Sequence, residues 1–348
     1  MFAEIEYPIH ILEEELDVYL DKGWYRMGQS MFTTNFLRFN KVFYSAYWLR
    51  IPLESFEFSK SQLKLLNTCS RFSLEIKKAA IDSDKDELFA KYKSSVAFEA
   101  SSSLQFLLYS EGNLDIFNTL EFCLYDQKKL IGCGFLDLGK KSTAGISCFY
   151  DPDYKKYSLG KYLMLLKIKY SIKNGYSHFY PGYFAPGYPL FDYKLSLSKN
   201  KIEYFCFTNS TWQTTSEEIS RNTPLEQTRK KTEKLHSLLS ENNIKNKIFE
   251  YEYYDANLIE NLYGLDLMSY PIFISLSPES SLDQALIVYD FTQNVYKLLL
   301  CLCYIKTNVE QNSGNFFSTY VLKIDSTLFE TDQEKEIIQL VKAAQQQI

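Results

Sequence analysis

Residues 146–183 read ISCFYDPDYKKYSLGKYLMLLKIKYSIKNGYSHFYPGY, and the hydrophobic period changes twice inside them. Ile146–Tyr150 is β-branched and aromatic, as a strand requires. Asp151–Tyr157 is a polar loop that closes on Ser158. Beyond it Leu159, Tyr162, Leu163, Leu166 and Tyr170 recur at i, i+3, i+4, i+7 and i+11, the apolar stripe of a helix that runs to Lys173. Asn174-Gly175 is a helix stop, and Tyr176–Tyr183 returns to strand character. A strand, a helix and a strand in immediate succession predict one parallel crossover.

Outward from this unit, Thr119–Asp126 and Lys129–Leu138 read as strands joined by the polar turn Asp126–Lys128, and Lys201–Thr208 as another strand. Antiparallel hairpins beside a crossover predict an α/β (α+β) fold, a mixed sheet with flanking helices. Helices are expected over Ile11–Lys22, ended by Gly23, over Lys60–Asn67, over Lys85–Phe98 and over Ser102–Tyr109, and a strand over Phe43–Leu53. Thr214–Asn243 is polar and helical, broken near Pro224. Strand-like runs at Lys247–Tyr253, Tyr270–Leu276, Leu286–Phe291, Val295–Tyr304 and Phe317–Ile324 lead to a helix over Asp332–Gln346. The expected divisions are an N-terminal region (1–75), a central domain (76–210), a helical connector (211–243) and a small C-terminal α+β module (244–348).

Tyr, Phe and Trp number 28, 26 and 3 in 348 residues, and charged residues are 23%. That richness in aromatics excludes a disordered chain, and 13 glycines exclude a collagen-like one. The seven cysteines are odd in number and hold no C-x-x-C pair, so free thiols in a reducing compartment are expected. The N-terminus has no basic and apolar leader pattern, and the longest apolar run, Leu298–Ile305, is far short of a membrane span, so a cytoplasmic protein without membrane contact is expected. The net charge of −5 hides an asymmetry: residues 1–22 carry seven acids and one lysine, whereas residues 154–201 carry nine lysines and one acid. A positive face of that kind attracts polyanions whatever the total charge.

Only three histidines are present, and no H-E-x-x-H, G-x-S-x-G or P-loop pattern occurs. The candidate chemistry therefore lies in residues 146–183. Ser158 is positioned to cap the helix, whose first amides then form an anion site. Gly160 leaves room in the first turn for a ligand.

Phe149-Tyr150-Asp151-Pro152-Asp153, then Tyr157-Ser158-Leu159-Gly160-Lys161-Tyr162, then Tyr180-Pro181-Gly182-Tyr183, then Tyr193-Lys194 together resemble the arginyl-tRNA–protein transferase family, including its bacterial leucyl-transferring relatives. Gly23-Trp24-Tyr25-Arg26-x-Gly28 and Arg50-Ile51-Pro52 with Phe56 and Ser59–Gln62 are similar to two upstream blocks of that family. The resemblance spans about residues 20–200. It implies a GNAT-like fold and an aminoacyltransferase that moves arginine or leucine from a charged tRNA to the N-terminal α-amine of a protein or peptide, as a degradation tag. It implies no cofactor. The roles it implies are acceptor-amine binding or deprotonation for Asp151, and ester-oxygen or adenine contacts for Tyr183, Tyr193 and Tyr150. Substrate and tRNA contacts are implied for Ser158, Gly160, Lys161, Tyr162, Tyr180, Lys194, Arg26 and Arg50, with Lys155 and Lys156 on phosphates. The family's cysteine cluster is missing, because Gln29–Leu49 holds no cysteine, so no metal is expected. The Lys-Met that precedes the family's final Tyr-Lys is replaced by Leu190-Phe191-Asp192. Residues 209–348 have no counterpart in the resemblance. A GNAT-type N-acetyltransferase using acyl-CoA and a catalytically silent binding protein are the alternatives.

Overall fold

The computed structural model describes residues 2–96, 101–110, 114–198, 201–215 and 217–345. The ends of two expected helices, at Phe98 and Gln346, fall outside these residues. The main sheet has eight strands: β1 (Tyr47–Pro52), β2 (Ser73–Lys78), β3 (Thr119–Asp126), β4 (Lys129–Leu138), β5 (Ser142–Tyr150), β6 (His178–Phe184), β7 (Glu203–Cys206) and β8 (Thr211–Thr214). Their spatial order is β8-β7-β1-β6-β5-β4-β3-β2. Every neighbouring pair is antiparallel except β5 and β6, which are parallel. The mixed α/β sheet with one parallel crossover is thus as the sequence predicts.

Helix α1 (Ser83–Ser95) lies against one face of the sheet, where Leu88 and Phe89 meet Cys123, Cys133, Phe135 and Phe149. Helix α2 (Leu159–Lys173) makes the crossover and packs on the opposite face against Phe122, Leu124, Ile131 and Leu136. Alternation along β3 sends Phe122 and Leu124 to α2 and Cys123 to α1, as the two-residue period of a strand demands. The sequence shows one apolar stripe on α2, but nine of its residues are buried, Lys167 and Ser171 among them. It is a core helix enclosed on most of its circumference. It ends as a Schellman turn: Gly175, at φ 77°, donates to Ile172 O, and Tyr176 donates to Ser171 O.

The first 45 residues add a three-stranded sheet (Ala3–Glu6, Tyr25–Met27, Ser30–Thr34) and a hairpin of Phe36–Phe39 with Val42–Ser45. Helix α3 (Pro224–Glu241) starts at Pro224 rather than breaking there, because Thr223 and Glu226 form a reciprocal cap and proline suits the first helical position. The C-terminal sheet comprises β9 (Lys247–Tyr251), β10 (Ile272–Ser275), β11 (Asp283–Asp290), β12 (Val295–Lys306), β13 (Phe316–Phe317) and β14 (Tyr320–Thr331), in the order β13-β9-β10-β11-β12-β14, followed by helix α4 (Glu334–Gln345). Its core includes Phe2, Phe36 and Phe43 from the chain's beginning. The main sheet likewise takes β1 from before residue 75 and β8 from after residue 210. No helix among the described residues is long and apolar enough to cross a membrane.

Candidate active site at the parting of two strands

Strands β5 and β6 pair only at Ser142–His178, Thr143–Phe179 and Ala144–Tyr180. Each then shifts register against its other neighbour, β5 between Gly145 and Cys148 and β6 between Phe179 and Gly182. Parting strands leave backbone carbonyls without ladder partners, and buried ones must be satisfied. The hydroxyl of buried Tyr25 does this: it lies 2.7 Å from Gly145 O and 3.1 Å from Tyr180 O, positioned to donate to them. Its ring stacks on Trp48 at 5.6 Å.

Lys194 enters the same gap from a short helical turn, Asp192–Leu195. Its side chain runs beneath Tyr183 and Phe191, with Nζ 5.1 and 4.8 Å from the two ring centres. Nζ donates to Tyr183 O at 2.7 Å. A Cβ on Gly182 would lie 3.3 Å from Nζ, so the glycine gives the lysine its space. No acid pairs with this ammonium among the described residues, and burial lowers its pKa to about 7 against a weak opposing effect of Cys148. Neighbouring Tyr193 is 39% exposed as a residue, yet burial first, then Cys148, Tyr92 and Tyr183, holds its phenol far above its ordinary pKa, and Tyr183 is pushed up to about 12 by burial and by Tyr188. Lys194, Tyr193 and Tyr183 thus form one group: a lysine that readily gives up its charge beside phenols that keep their protons. Lys167, buried on α2, donates to Ser147 O at 2.8 Å and contacts Cys148 Sγ at 3.2 Å on the same stretch of β5.

Asp151 sits at the end of β5 with a side chain only 1% exposed. Lys91 and Lys129 pair with its two oxygens at 2.5 and 2.7 Å, and the Asp153 N–H donates to it at 3.0 Å. Burial alone raises its pKa, but Lys129, Lys91 and the Asp153 amide outweigh this and hold it at about 2. The sequence expectation that Asp151 takes a proton from the acceptor amine therefore meets a carboxylate that is a very weak base with its lone pairs already engaged.

The remaining sequence-derived residues separate by burial. Arg26 is internal: it donates to Asp137 and Thr119 at 2.8 and 2.9 Å, to Gly28 O at 2.7 Å and to Leu108 O, and it lies over Phe117. None of this guanidinium's reach is left for a nucleic acid. Arg50 pairs with Asp21 and Glu203 at 2.7 and 2.6 Å and lies over the Trp212 ring. Tyr162 is a core residue, and Tyr180 is buried edge-on to Trp212. Ser158 occupies the N-cap position of α2 with φ 50° and ψ 46°, and its side chain makes no capping bond, contrary to expectation. The opening left by Gly160 is taken by Tyr150, whose ring edge would be 3.3 Å from an added Cβ. Lys155 and Lys156 are exposed, and Lys161 reaches Ser196 Oγ at 2.9 Å. Sequence reading missed Tyr25, Lys91, Lys129 and Lys167. Tyr25 was signalled, because it stands inside the Gly-Trp-Tyr-Arg block, where the neighbouring arginine drew the weight.

A family model described as "Arginine-tRNA-protein transferase, C terminus" matches residues 84–204. An aspartate/glutamate leucyltransferase of Leptospira interrogans is 32% identical over 202 residues, which cover 55% of this chain and 76% of the relative. One of Campylobacter jejuni is 27% identical over 161 residues, 44% of this chain and 66% of the relative. Among solved structures, the C-terminal domain of a putative lysylphosphatidylglycerol synthetase from Agrobacterium fabrum is similar at a TM-score of 0.36 and 15% identity, covering 46% of this chain and 58% of that one. A GCN5-related N-acetyltransferase from Anabaena variabilis has a TM-score of 0.29 at 9% identity, covering 79% and 55%. Both structural overlaps are loose.

Proposed function

The chain belongs to the arginyl/leucyl-tRNA–protein transferase family and is an aminoacyltransferase, and from that premise we propose that it moves leucine from leucyl-tRNA to the α-amine of proteins that begin with aspartate or glutamate, marking them for degradation in the cytoplasm. The choice of leucine and of acidic acceptors is supported by the relatives' names. The observation that carries the chemical reading is the placement of Lys194 in the gap between β5 and β6, buried, without an acid partner among the described residues and lowered to about 7.

The reaction breaks the ester between the aminoacyl carbonyl and a ribose oxygen of the tRNA and forms a peptide bond. An α-amine has a pKa near 8, so at neutral pH it needs little activation before attack. What remains is orientation, removal of one proton from the attacking nitrogen, and stabilisation of the oxyanion. Neutral Lys194 accepts the proton at Nζ and returns it to the departing ribose oxygen. Tyr193, kept protonated, donates to the oxyanion. Tyr183 lines the approach and holds the lysine through its carbonyl. Asp151 anchors the turn after β5 by pairing with Lys91 and Lys129, and Lys155, Lys156 and Lys161 supply a positive field for the tRNA backbone.

The test is transfer of labelled leucine or arginine from charged tRNA to peptides beginning with Asp, Glu, Lys or Arg. Label is expected from leucyl-tRNA on Asp and Glu peptides. A folded protein that labels none of them refutes the transferase reading, and label from arginyl-tRNA alone refutes the choice of donor.

A further inference from the structure

Strand β9 is only partly covered on its outer edge. β10 takes one edge, and β13 pairs with the other at Glu250 and Tyr251 alone. There the N–H groups of Glu250 and Glu252 donate to Asn315 O and Phe317 O at 2.7 and 3.1 Å. By the two-residue alternation of a strand, the N–H and C=O of Ile248 face the same outer edge. Among the described residues no strand pairs with Ile248 on that side. An open stretch of strand edge is a template for another extended chain.

Beside this stretch lies a cavity of about 450 Å³ between β9 and α3, with Ile248, Ile272 and Phe316 as its apolar lining. Arg229, Thr232 and His236 line it from one face of α3. Arg229 pairs with Glu250 at 2.8 Å, and His236 meets Asn246 through their side chains, so α3 and β9 run antiparallel along the cavity. Thr232 lies between these two ends and is only 2% exposed. Its hydroxyl has no hydrogen-bond partner among the described residues. A buried hydroxyl left unpaired is costly unless something fills its place. Arg229 and His236 are about 10 Å apart along the helix axis, the length of about three residues of strand.

An open strand edge, an apolar lining and a hydroxyl in want of a partner match three parts of one ligand. The edge suits the main chain of an extended peptide, the lining suits its alternate side chains, and the hydroxyl suits a polar group of the same segment. We propose that the cleft between α3 and β9 docks an extended segment of the acceptor polypeptide, downstream of its reacting amine, by adding it to β9 as a short strand. This rests on the reading that the acceptor is a protein. It gives the C-terminal module a task apart from the reacting gap: holding the acceptor by its main chain, whatever residue it begins with.

The experiment measures binding of labelled peptides to the full chain by fluorescence anisotropy, without tRNA. The probes are an Asp-initiated Gly-Ser chain that carries Val-Thr-Val runs, the same chain without the runs, and the first chain with N-methylated backbone in its runs. The run-bearing chain is expected to bind more tightly than the plain one, because β-branched residues favour the strand and fill the lining. N-methylation removes ladder donors and leaves the side chains, and should weaken binding about fivefold, the worth of one exchanged hydrogen bond. Ile248→Pro removes the open N–H without touching the ladder to β10, and Thr232→Val removes the hydroxyl at constant shape. Each should weaken the run-bearing chain about fivefold and leave the plain chain unchanged. Unfolding midpoints establish that the variants are folded, and Thr232→Val, which should raise the midpoint by removing an unpaired hydroxyl, serves if Ile248→Pro is not. In transfer assays both variants should raise KM for the run-bearing acceptor and leave kcat unchanged. Equal binding of the two chains, N-methylation without effect, or unchanged affinity in the folded variants overturns the docking strand. Displacement of the bound peptide by free leucine assigns the cavity to a small molecule and overturns it as well. Transfer of leucine by the wild type is scored separately: absent transfer with peptides bound as expected removes the proposed reaction and leaves the docking site, whereas normal transfer with affinity and KM unaltered in the variants does the reverse.

Discussion

Replacing Lys194 with methionine is expected to stabilise the protein while removing its activity. The lysine's pKa falls from 10.5 in the open chain to about 7 in the fold, because burial penalises the ammonium. Between these values the unfolded chain holds a proton that the folded chain releases, so stability rises with pH from about 7 to about 10.5. By linkage the burden is about 4 kcal/mol at pH 7 and about 1 kcal/mol near pH 9.5. Methionine removes this burden and loses the bond to Tyr183 O, worth about 1–2 kcal/mol. The variant should therefore be about 2–3 kcal/mol more stable near pH 7, an advantage that vanishes near pH 9.5. Urea unfolding at the two pH values reads this directly. A variant less stable near neutrality, or a difference that does not change with pH, refutes the buried, unpaired lysine. The same variant should lose about 10²–10⁴-fold in transfer rate, the usual worth of a positioned base. In single-turnover assays the wild-type rate should fall with a slope approaching two below about pH 7, because lysine and α-amine both gain protons, and the variant should keep a slope of one. A wild-type slope of one throughout would remove Lys194 from the proton transfer.

Asp151→Asn is expected to cost about 1–2 kcal/mol above pH 4, since the carboxylate, held at about 2, contributes stability that is lost as pH falls from 3.8 towards 2. Its transfer rate should change by less than tenfold; a larger loss in a folded variant restores Asp151 as a participant in the chemistry. Tyr25→Phe leaves Gly145 O and Tyr180 O without their shared donor and should cost about 1–3 kcal/mol in urea unfolding, with faster amide exchange along β5 beyond Ala144; an unchanged melt means the parted strands need no such bridge. Arg26→Met strands the Asp137 carboxylate, which burial already raises against the pull of Arg26, and should cost about 3–5 kcal/mol. If instead this variant keeps its stability and loses only tRNA affinity, the arginine belongs to the binding surface.

The sequence by itself determined the crossover. The i, i+3, i+4 stripe from Leu159 to Tyr170, stopped by Asn174-Gly175 between two strand-like runs, allows only a helix joining parallel neighbours, and local period and turn chemistry suffice to say so. The order of tyrosine, glycine and lysine residues along residues 149–194 carried the family in the same way, because that order is written in the chain. β2 escaped the reading because every residue of it is exposed, so no burial pattern marks it. The tertiary structure alone decided what the charged residues do. Arg26, Asp151 and Lys194 look alike in the sequence as polar members of the motif blocks. Folding gives Arg26 a buried carboxylate and Asp151 two ammoniums, whereas among the described residues it gives Lys194 a carbonyl and two rings and no carboxylate. The free energy of a charge depends on solvent and on partners that arrive from distant parts of the chain, and no local pattern records which of them arrive.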